Sequence, residues 1–298
     1  MAKTPVGSQI QYMPENVALH QRCYLCGSAD IFDKFKVNGY TISGCKSCSF
    51  VFVKEHLTTS ELVEFYRQMG APEVYTENEN LKNLLYYYER LRDMIQEKQP
   101  KGRILDVGCS EGNFLDVMQG WECYGVELEA VVAAKARKKY GDNIKECALE
   151  ETNFPSSFFD VISLQDVFDH MPDPLNSLKI CYDLLKPGGL IVIKVHNISC
   201  LYAKITGSKF YAILPPTHLS YFDRNTLGLA LEKSNFAVLS HHFIAHIMFI
   251  KTIFHRLSDG KSQGLFYHLY RLTENSFLGR IRIRKNLNDI ITVLAVKK

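Results

Sequence analysis

The stretch that most constrains what this chain can fold into is ILDVGCSEGNF at 104–114, an apolar run that ends at Asp106 and breaks into a turn bearing Gly108, Ser110 and Gly112. A glycine directly after a buried strand lets the chain turn sharply and lets a ligand approach the backbone. The helix expected to open near Asn113 would offer free N–H groups and a positive field to a carboxylate or phosphate. From 102 the rhythm is one of short apolar strands: RILDVG, ECYGVEL, FDVISLQ and GGLIVIKVH read as strands, alternating with helical patterns that begin near Asn113, Ala130, Pro174 and Asn225. Such alternation predicts an α/β fold with a doubly wound, mostly parallel sheet covered on both faces. FAVLSHHFIA and NDIITVLAVKK read as two closing strands, with aromatic and basic sequence between them.

The glycines alone do not separate a dinucleotide from S-adenosylmethionine, and two acids tilt the choice. Glu127, in YGVELEA, stands nineteen residues after Gly108, where a carboxylate at the tip of the next strand can hold ribose hydroxyls. Asp106 would repel a pyrophosphate but suits the α-amino group of a methionine.

With these residues in view, the chain resembles the class I S-adenosylmethionine-dependent methyltransferases. ILDVGCSEGNF is similar to their first motif, D-x-G-x-G-x-G, with Ser110 in place of the middle glycine. YGVELEA resembles their second-strand segment, CALEE (147–151) their third, FDVISLQDVFDHMPDP their fourth and LLKPGGLIVIKVHN their fifth, so the resemblance spans roughly 80–240. It implies a Rossmann-like sheet ending in an antiparallel strand. It also implies a cofactor site of Asp106, Gly108, Cys109, Ser110, Asn113, Phe114, Glu127, Leu128, Ala148, Leu149, Gln165, Asp166 and Val167. Glu127 would hold the ribose, and Leu128, Ala148 and Leu149 would lie beside the adenine. Cys109 invites a nucleophile reading, but a small apolar residue tucked under the turn is the stronger one.

Upstream, CYLC and CKSC place Cys23 and Cys26, then Cys45 and Cys48, with eighteen residues between the pairs. Two C-x2-C knuckles at this spacing complete a tetrahedron of thiolates around zinc, and four thiolates close the site to water and substrate. The expected unit is a small structural zinc ribbon. The expected layout is a loose tail at 1–22, the ribbon at 23–54 and a helical bridge at 55–100, with Thr59 or Ser60 capping its first helix. The core fills 101–298, with an insert at about 246–285. This layout resembles bacterial methyltransferases associated with sugar and surface-polysaccharide modification, which implies a small-molecule, glycan or glycolipid acceptor methylated on a hydroxyl.

A hydroxyl acceptor needs a group to take its proton, and histidine titrates nearest neutral pH. His218 is the first candidate base, in PPTHLSYF after the fifth strand, and that segment resembles the family's P-x-H-x-x-x-F. His170 follows the fourth strand and reads as structural or cofactor-lining ahead of catalytic, and Tyr221 as pocket wall. Asp166 and Asp169 could orient an acceptor, while His196 and Asn197 end the fifth strand on the ligand edge. His241, His242 and His246 read as packing or surface residues.

Net charge is only +3, too mild to imply nucleic acid or membrane by itself. Residues 251–285, however, hold eight Lys/Arg against two acids, so 8 − 2 = +6. Aromatics interleave with them, as in a basic amphipathic lid, a peripheral membrane contact or a site for an anionic acceptor. The nine cysteines and the want of an apolar leader suggest a reducing cytoplasm, with the inner membrane face as one place of work. An RNA methyltransferase gripping its substrate with the ribbon is an alternative, as is a non-catalytic scaffold. An NAD-dependent sugar oxidoreductase fits less well, because of Asp106 and the lack of a tyrosine–lysine pair.

Overall fold

The computed structural model describes residues 17–69, 78–258 and 263–298. The first sixteen residues of the expected tail, 70–77 of the bridge and 259–262 of the insert lie outside them. The N-terminal part carries strands β1 (Ile31–Val37), β2 (Tyr40–Cys45) and β3 (Val51–Val53), then helices α1 (Thr59–Met69) and α2 (Asn78–Lys98). The core continues with β4 (Arg103–Val107), β5 (Glu122–Val126), α3 (Ala130–Tyr140), β6 (Ile144–Lys145), β7 (Phe159–Gln165), α4 (Pro174–Leu184) and β8 (Leu185–His196). It ends with α5 (Leu201–Thr206), β9 (Ser220–Tyr221), α6 (Arg224–Lys233), β10 (Phe236–His242), β11 (His246–Phe249), α7 (Ile250–Leu257), α8 (Leu265–Glu274), β12 (Arg282–Lys285) and β13 (Ile290–Lys297).

The central sheet runs β10–β13–β8–β7–β4–β5–β6. Pairs β4–β5, β4–β7, β5–β6 and β7–β8 are parallel, and β13 is antiparallel to both β8 and β10. Strand order reverses between β4 and β7, and at such a switch point the loops part and leave a crevice for ligand. Residues 189–195 of β8 are buried without interruption, as a central parallel strand covered on both faces requires. One of those covers is α2, whose Tyr87, Leu91 and Ile95 pack with Ile104, Val192 and Leu294. Each such side chain contributes roughly 1.5–3 kcal/mol by burial. The bridge helix is thus a layer of the core as well as a connection.

Two local expectations are corrected. No α-helix opens at Asn113: the chain makes one 3-10 turn at Leu115–Val117, because it must be back in β5 by Glu122. Helix α1 is capped by Thr58, not Thr59 or Ser60. Thr58 Oγ1 accepts from the Glu61 N–H at 3.3 Å, and the Glu61 carboxylate accepts from the Thr58 N–H at 2.7 Å. Helices α3, α4 and α6 start where the sequence places them, within one residue, capped by Glu129, Asp173 and Asp223.

The ribbon is built into the core. Strand β9, from the loop after β8, adds to β3 and gives a four-stranded sheet β9–β3–β2–β1. Phe222 sits between Phe50 of the ribbon and Phe168 of the core, at 5.1 Å from each ring, and the Tyr24 hydroxyl meets Ser220 Oγ at 2.7 Å. Ala18–Leu19 pair with Glu55–His56 and tie the start of the described chain to the same module. In the insert, β11 and β12 pair antiparallel. Among the described residues no helix is long and apolar enough to cross a membrane.

Candidate functional site

The glycine loop lies at the C-terminal end of β4, on the crevice. Gly108 has φ +73, and a Cβ there would meet the Val167 side chain at 2.9 Å, so only glycine fits. Ser110, where the family motif has glycine, adopts a left-handed φ of 48. Its N–H donates to Glu127 Oε2 at 2.9 Å, while the Glu129 N–H donates to Glu127 Oε1 at 2.9 Å. Glu127 therefore clamps the loop to the start of α3, and each oxygen keeps a lone pair for a further donor. Leu128 beside it is 38% exposed, open to a flat ligand, whereas Ala148 and Leu149 are buried behind.

Asp106 is buried and its Oδ1 has no hydrogen-bond partner. Burial, reinforced by the Glu127 charge, pushes its carboxyl up to about 8. A cationic amino group placed beside it would supply the missing donor and restore the charge. The residues thus fit the amino-acid end of S-adenosylmethionine better than a phosphate.

The other expected cofactor residues divide into contacts and supports. The Cys109 sulfur is turned under the loop against Gly125, where a Cβ would come within 2.6 Å of it. Phe114 is buried against Tyr88, at 5.2 Å between ring centres, and Asn113 is half-buried. Gln165 Oε1 accepts from the Tyr87 hydroxyl at 3.1 Å, and its buried Nε2 has no partner. Asp166, with φ 56, is ion-paired to Lys194.

Past Val167, the same short turn carries Asp169 and His170 into a second cluster. The His196 Nδ1–H donates to Asp169 Oδ2 at 3.0 Å, and the His170 and His218 rings lie 4.7 Å apart, with His196 and His218 at 4.9 Å. His218 Nδ1 donates to the Ala212 carbonyl at 2.5 Å, and the Tyr66 hydroxyl of α1 meets His170 Nδ1 at 3.2 Å. Burial would raise Asp169, but the His196 hydrogen bond and the surrounding rings outweigh it and hold the carboxyl well below its usual range. Burial would likewise lower His196, yet the bond to Asp169 wins and raises it. Burial lowers His218 to about 4, which leaves it neutral. Tyr221 is not part of this group: its buried hydroxyl donates to the His218 carbonyl and holds the loop.

Tyr66, Lys194 and Tyr87 belong to the site's surroundings and are not singled out by the sequence. Lys194 is a lysine inside the apolar run GLIVIKV, a visible signal, since a buried charge needs a partner. Tyr66 gives no local signal. Burial raises its phenol, and the Asp169 and Glu127 carboxylates add to the shift.

At the far end of the ribbon, the four cysteine sulfurs lie within 4.8 Å of one another, with Cys23–Cys48 at 3.7 Å and Cys26–Cys45 at 3.5 Å. These distances are too long for disulfides and match the edge of a thiolate tetrahedron around zinc, about 3.8 Å.

A family model described as a methyltransferase domain matches residues 79–241, from α2 to the end of β10. The ubiquinone biosynthesis O-methyltransferase of Actinobacillus pleuropneumoniae is 26% identical over 136 residues, 41% of this chain and 58% of that protein. The protein of that name from Acinetobacter baylyi is 25% identical over 187 residues, covering 54% and 78%. In the first of these matches the chain spans little more than half of the relative's length. Among solved structures, the 1,6-didemethyltoxoflavin-N1-methyltransferase of Burkholderia thailandensis superposes with a TM-score of 0.51 at 13% identity, over 89% of this chain and 99% of that one, a likeness of fold alone. With more than half of its length matched, and with the glycine loop, its acidic partners and the reversing sheet in place, the chain belongs to the methyltransferase-domain family.

Proposed function

We propose that this protein transfers the methyl group of S-adenosylmethionine to a hydroxyl of a sugar or of a polysaccharide or glycolipid precursor. The observation that carries the reading is the turn at 165–170, which brings Val167 onto the glycine loop and Asp169 and His170 into the histidine cluster. Donor and proton acceptor then share one crevice. Asp106 and Glu127 hold the methionine amine and the ribose. The sulfonium is already a good leaving group, so the protein supplies in-line placement and one base.

His196 suits the base role through its geometry. Asp169 fixes its Nδ1–H, as the aspartate of a catalytic triad fixes its histidine, and Nε2 is left for the acceptor hydroxyl. His218, whose ring lies between those of His196 and His170, then faces the acceptor with His170 beyond it. The names of the relatives support oxygen as the methylated atom; the sugar rests on resemblance in the layout of ribbon, bridge and core. Cys23, Cys26, Cys45 and Cys48 would hold a structural zinc that keeps the ribbon folded.

The insert suits peripheral contact with an anionic membrane. Leu265, Leu272, Phe277 and Leu278 are 59–82% exposed, beside Arg271, Arg280, Arg282 and Arg284. Co-sedimentation with phosphatidylglycerol vesicles, but not with phosphatidylcholine ones, is the expected result.

The substrate is tested by incubating the full chain with labelled methyl donor and fractionated metabolites, lipids and RNA. Label in glycans or glycolipids is expected. Label in RNA alone, or cofactor binding with no labelled product, overturns the assignment.

A further inference from the structure

We propose that Asp169, His170 and His218 form a second metal site, of nitrogen and oxygen donors, which takes a divalent first-row transition ion and presents it to the acceptor hydroxyl. The use of the ion rests on the methyltransferase reading; the site itself rests on geometry. One ring nitrogen of each histidine and one oxygen of Asp169 lie within 4.8 Å of one another. His170 Nε2 stands 3.7 Å from Asp169 Oδ1, too far for a hydrogen bond. Both atoms are buried without a partner, and leaving two such atoms unpaired is costly. An ion between them satisfies both at once.

The outer contacts point the same way. Metal-binding histidines use their other ring nitrogen on a carbonyl, carboxylate or hydroxyl, which fixes the tautomer and turns the lone pair to the metal. His218 does this with Ala212 and His170 with Tyr66, while Asp169 uses its second oxygen on His196. The three ligating atoms are thereby aimed by three different segments: α1, the loop after α5 and the end of β8. Ligand bonds of about 2.0–2.2 Å put tetrahedral ligand atoms about 3.4 Å apart, so a pair at the 4.8 Å limit closes by up to about 1.4 Å, within reach of side-chain rotations.

The donor set selects the ion. Two imidazoles and one carboxylate suit zinc, manganese, iron(II), cobalt or nickel, whereas magnesium and calcium take all-oxygen sets. Three protein ligands leave positions open, in contrast to the four thiolates of the ribbon. With one aspartate and two neutral imidazoles, a bound divalent ion leaves one net positive charge. That charge would draw the acceptor oxygen in and lower the pKa of its proton.

Cobalt(II) tests the site, because thiolate and imidazole ligands give different spectra. The full chain, stripped of metal and titrated with cobalt, is expected to take two equivalents. One should show intense near-ultraviolet sulfur-to-metal absorption, and the other only weak visible bands. His218→Ala and, separately, Asp169→Asn should remove the weak-band equivalent and leave the thiolate one. Binding of S-adenosylhomocysteine, followed by calorimetry, should persist in both variants and shows that they are folded. A single, thiolate-type equivalent in the unaltered chain overturns the inference, as does a second equivalent that survives both substitutions. Two equivalents in a chain that binds no S-adenosylhomocysteine support the metal site and overturn the methyltransferase reading instead.

Discussion

The cysteine quartet and the histidine cluster are both small groups of buried, ligand-type side chains, assembled in opposite ways. The cysteines come as two pairs, each pair two residues apart, so local backbone geometry brings the sulfurs together. Asp169, His170, His196 and His218 come from the ends of two strands and a loop, and Tyr66 joins them from a helix before the core. The first group depends on a few local turns; the second depends on the whole sheet being closed. The two also communicate: β9 belongs to the ribbon sheet, and Leu219 bonds Val53 on one side and Asp169 on the other, both at 2.9 Å. The ribbon therefore holds the loop that carries His218.

That dependence is one-way, and substitutions can expose it. Replacing Cys23 and Cys26 together by serine has the largest expected effect. It should abolish metal retention at the ribbon and lower the melting temperature by about 10 °C or more. Methyl transfer should fall with it, because β9 loses its neighbour. A variant that melts as the unaltered chain does would show that the ribbon is not a buttress.

His196→Ala should do the reverse. It should cut turnover about a hundred- to ten-thousand-fold, while metal at the cysteines and affinity for S-adenosylhomocysteine stay unchanged. Equal losses of turnover and cofactor affinity would place His196 in the cofactor site instead. Glu127→Ala removes the acceptor of two backbone N–H bonds and the expected ribose contact, and should weaken S-adenosylhomocysteine about ten- to a hundredfold by calorimetry. The smallest change is Ser110→Gly. A side chain at φ 48 is strained, so glycine should stabilise the fold by up to roughly 1 kcal/mol, measured by denaturant unfolding, with the cofactor still bound.

The difference between the two clusters also explains what the sequence could disclose. The alternation of strands and helices, the glycine turn, Glu127 and the cysteine pairs are short-range patterns, and each appears in the fold where its spacing puts it. The helix expected at Asn113 fails for a reason that was also local: too few residues separate it from Glu122 to hold several turns and return. The role of Thr58 turns on which hydroxyl meets Glu61, one residue beyond the resolution of a pattern. Tyr66, the docking of β9 on the ribbon and the seat of α2 on the sheet are long-range packing, on which no local spacing reports. Lys194 lies between these cases. Its place in a buried strand announces a partner, but only the closed sheet names Asp166.

The central claim is that the loop from Asp106 to Gly112 holds a methyl donor, and calorimetry of the full chain with S-adenosylhomocysteine and, separately, NAD tests it most directly. Saturable binding of S-adenosylhomocysteine at one site per chain, weakened by Asp106→Asn, with no binding of NAD, is the expected result. Binding of NAD with none of S-adenosylhomocysteine would contradict it.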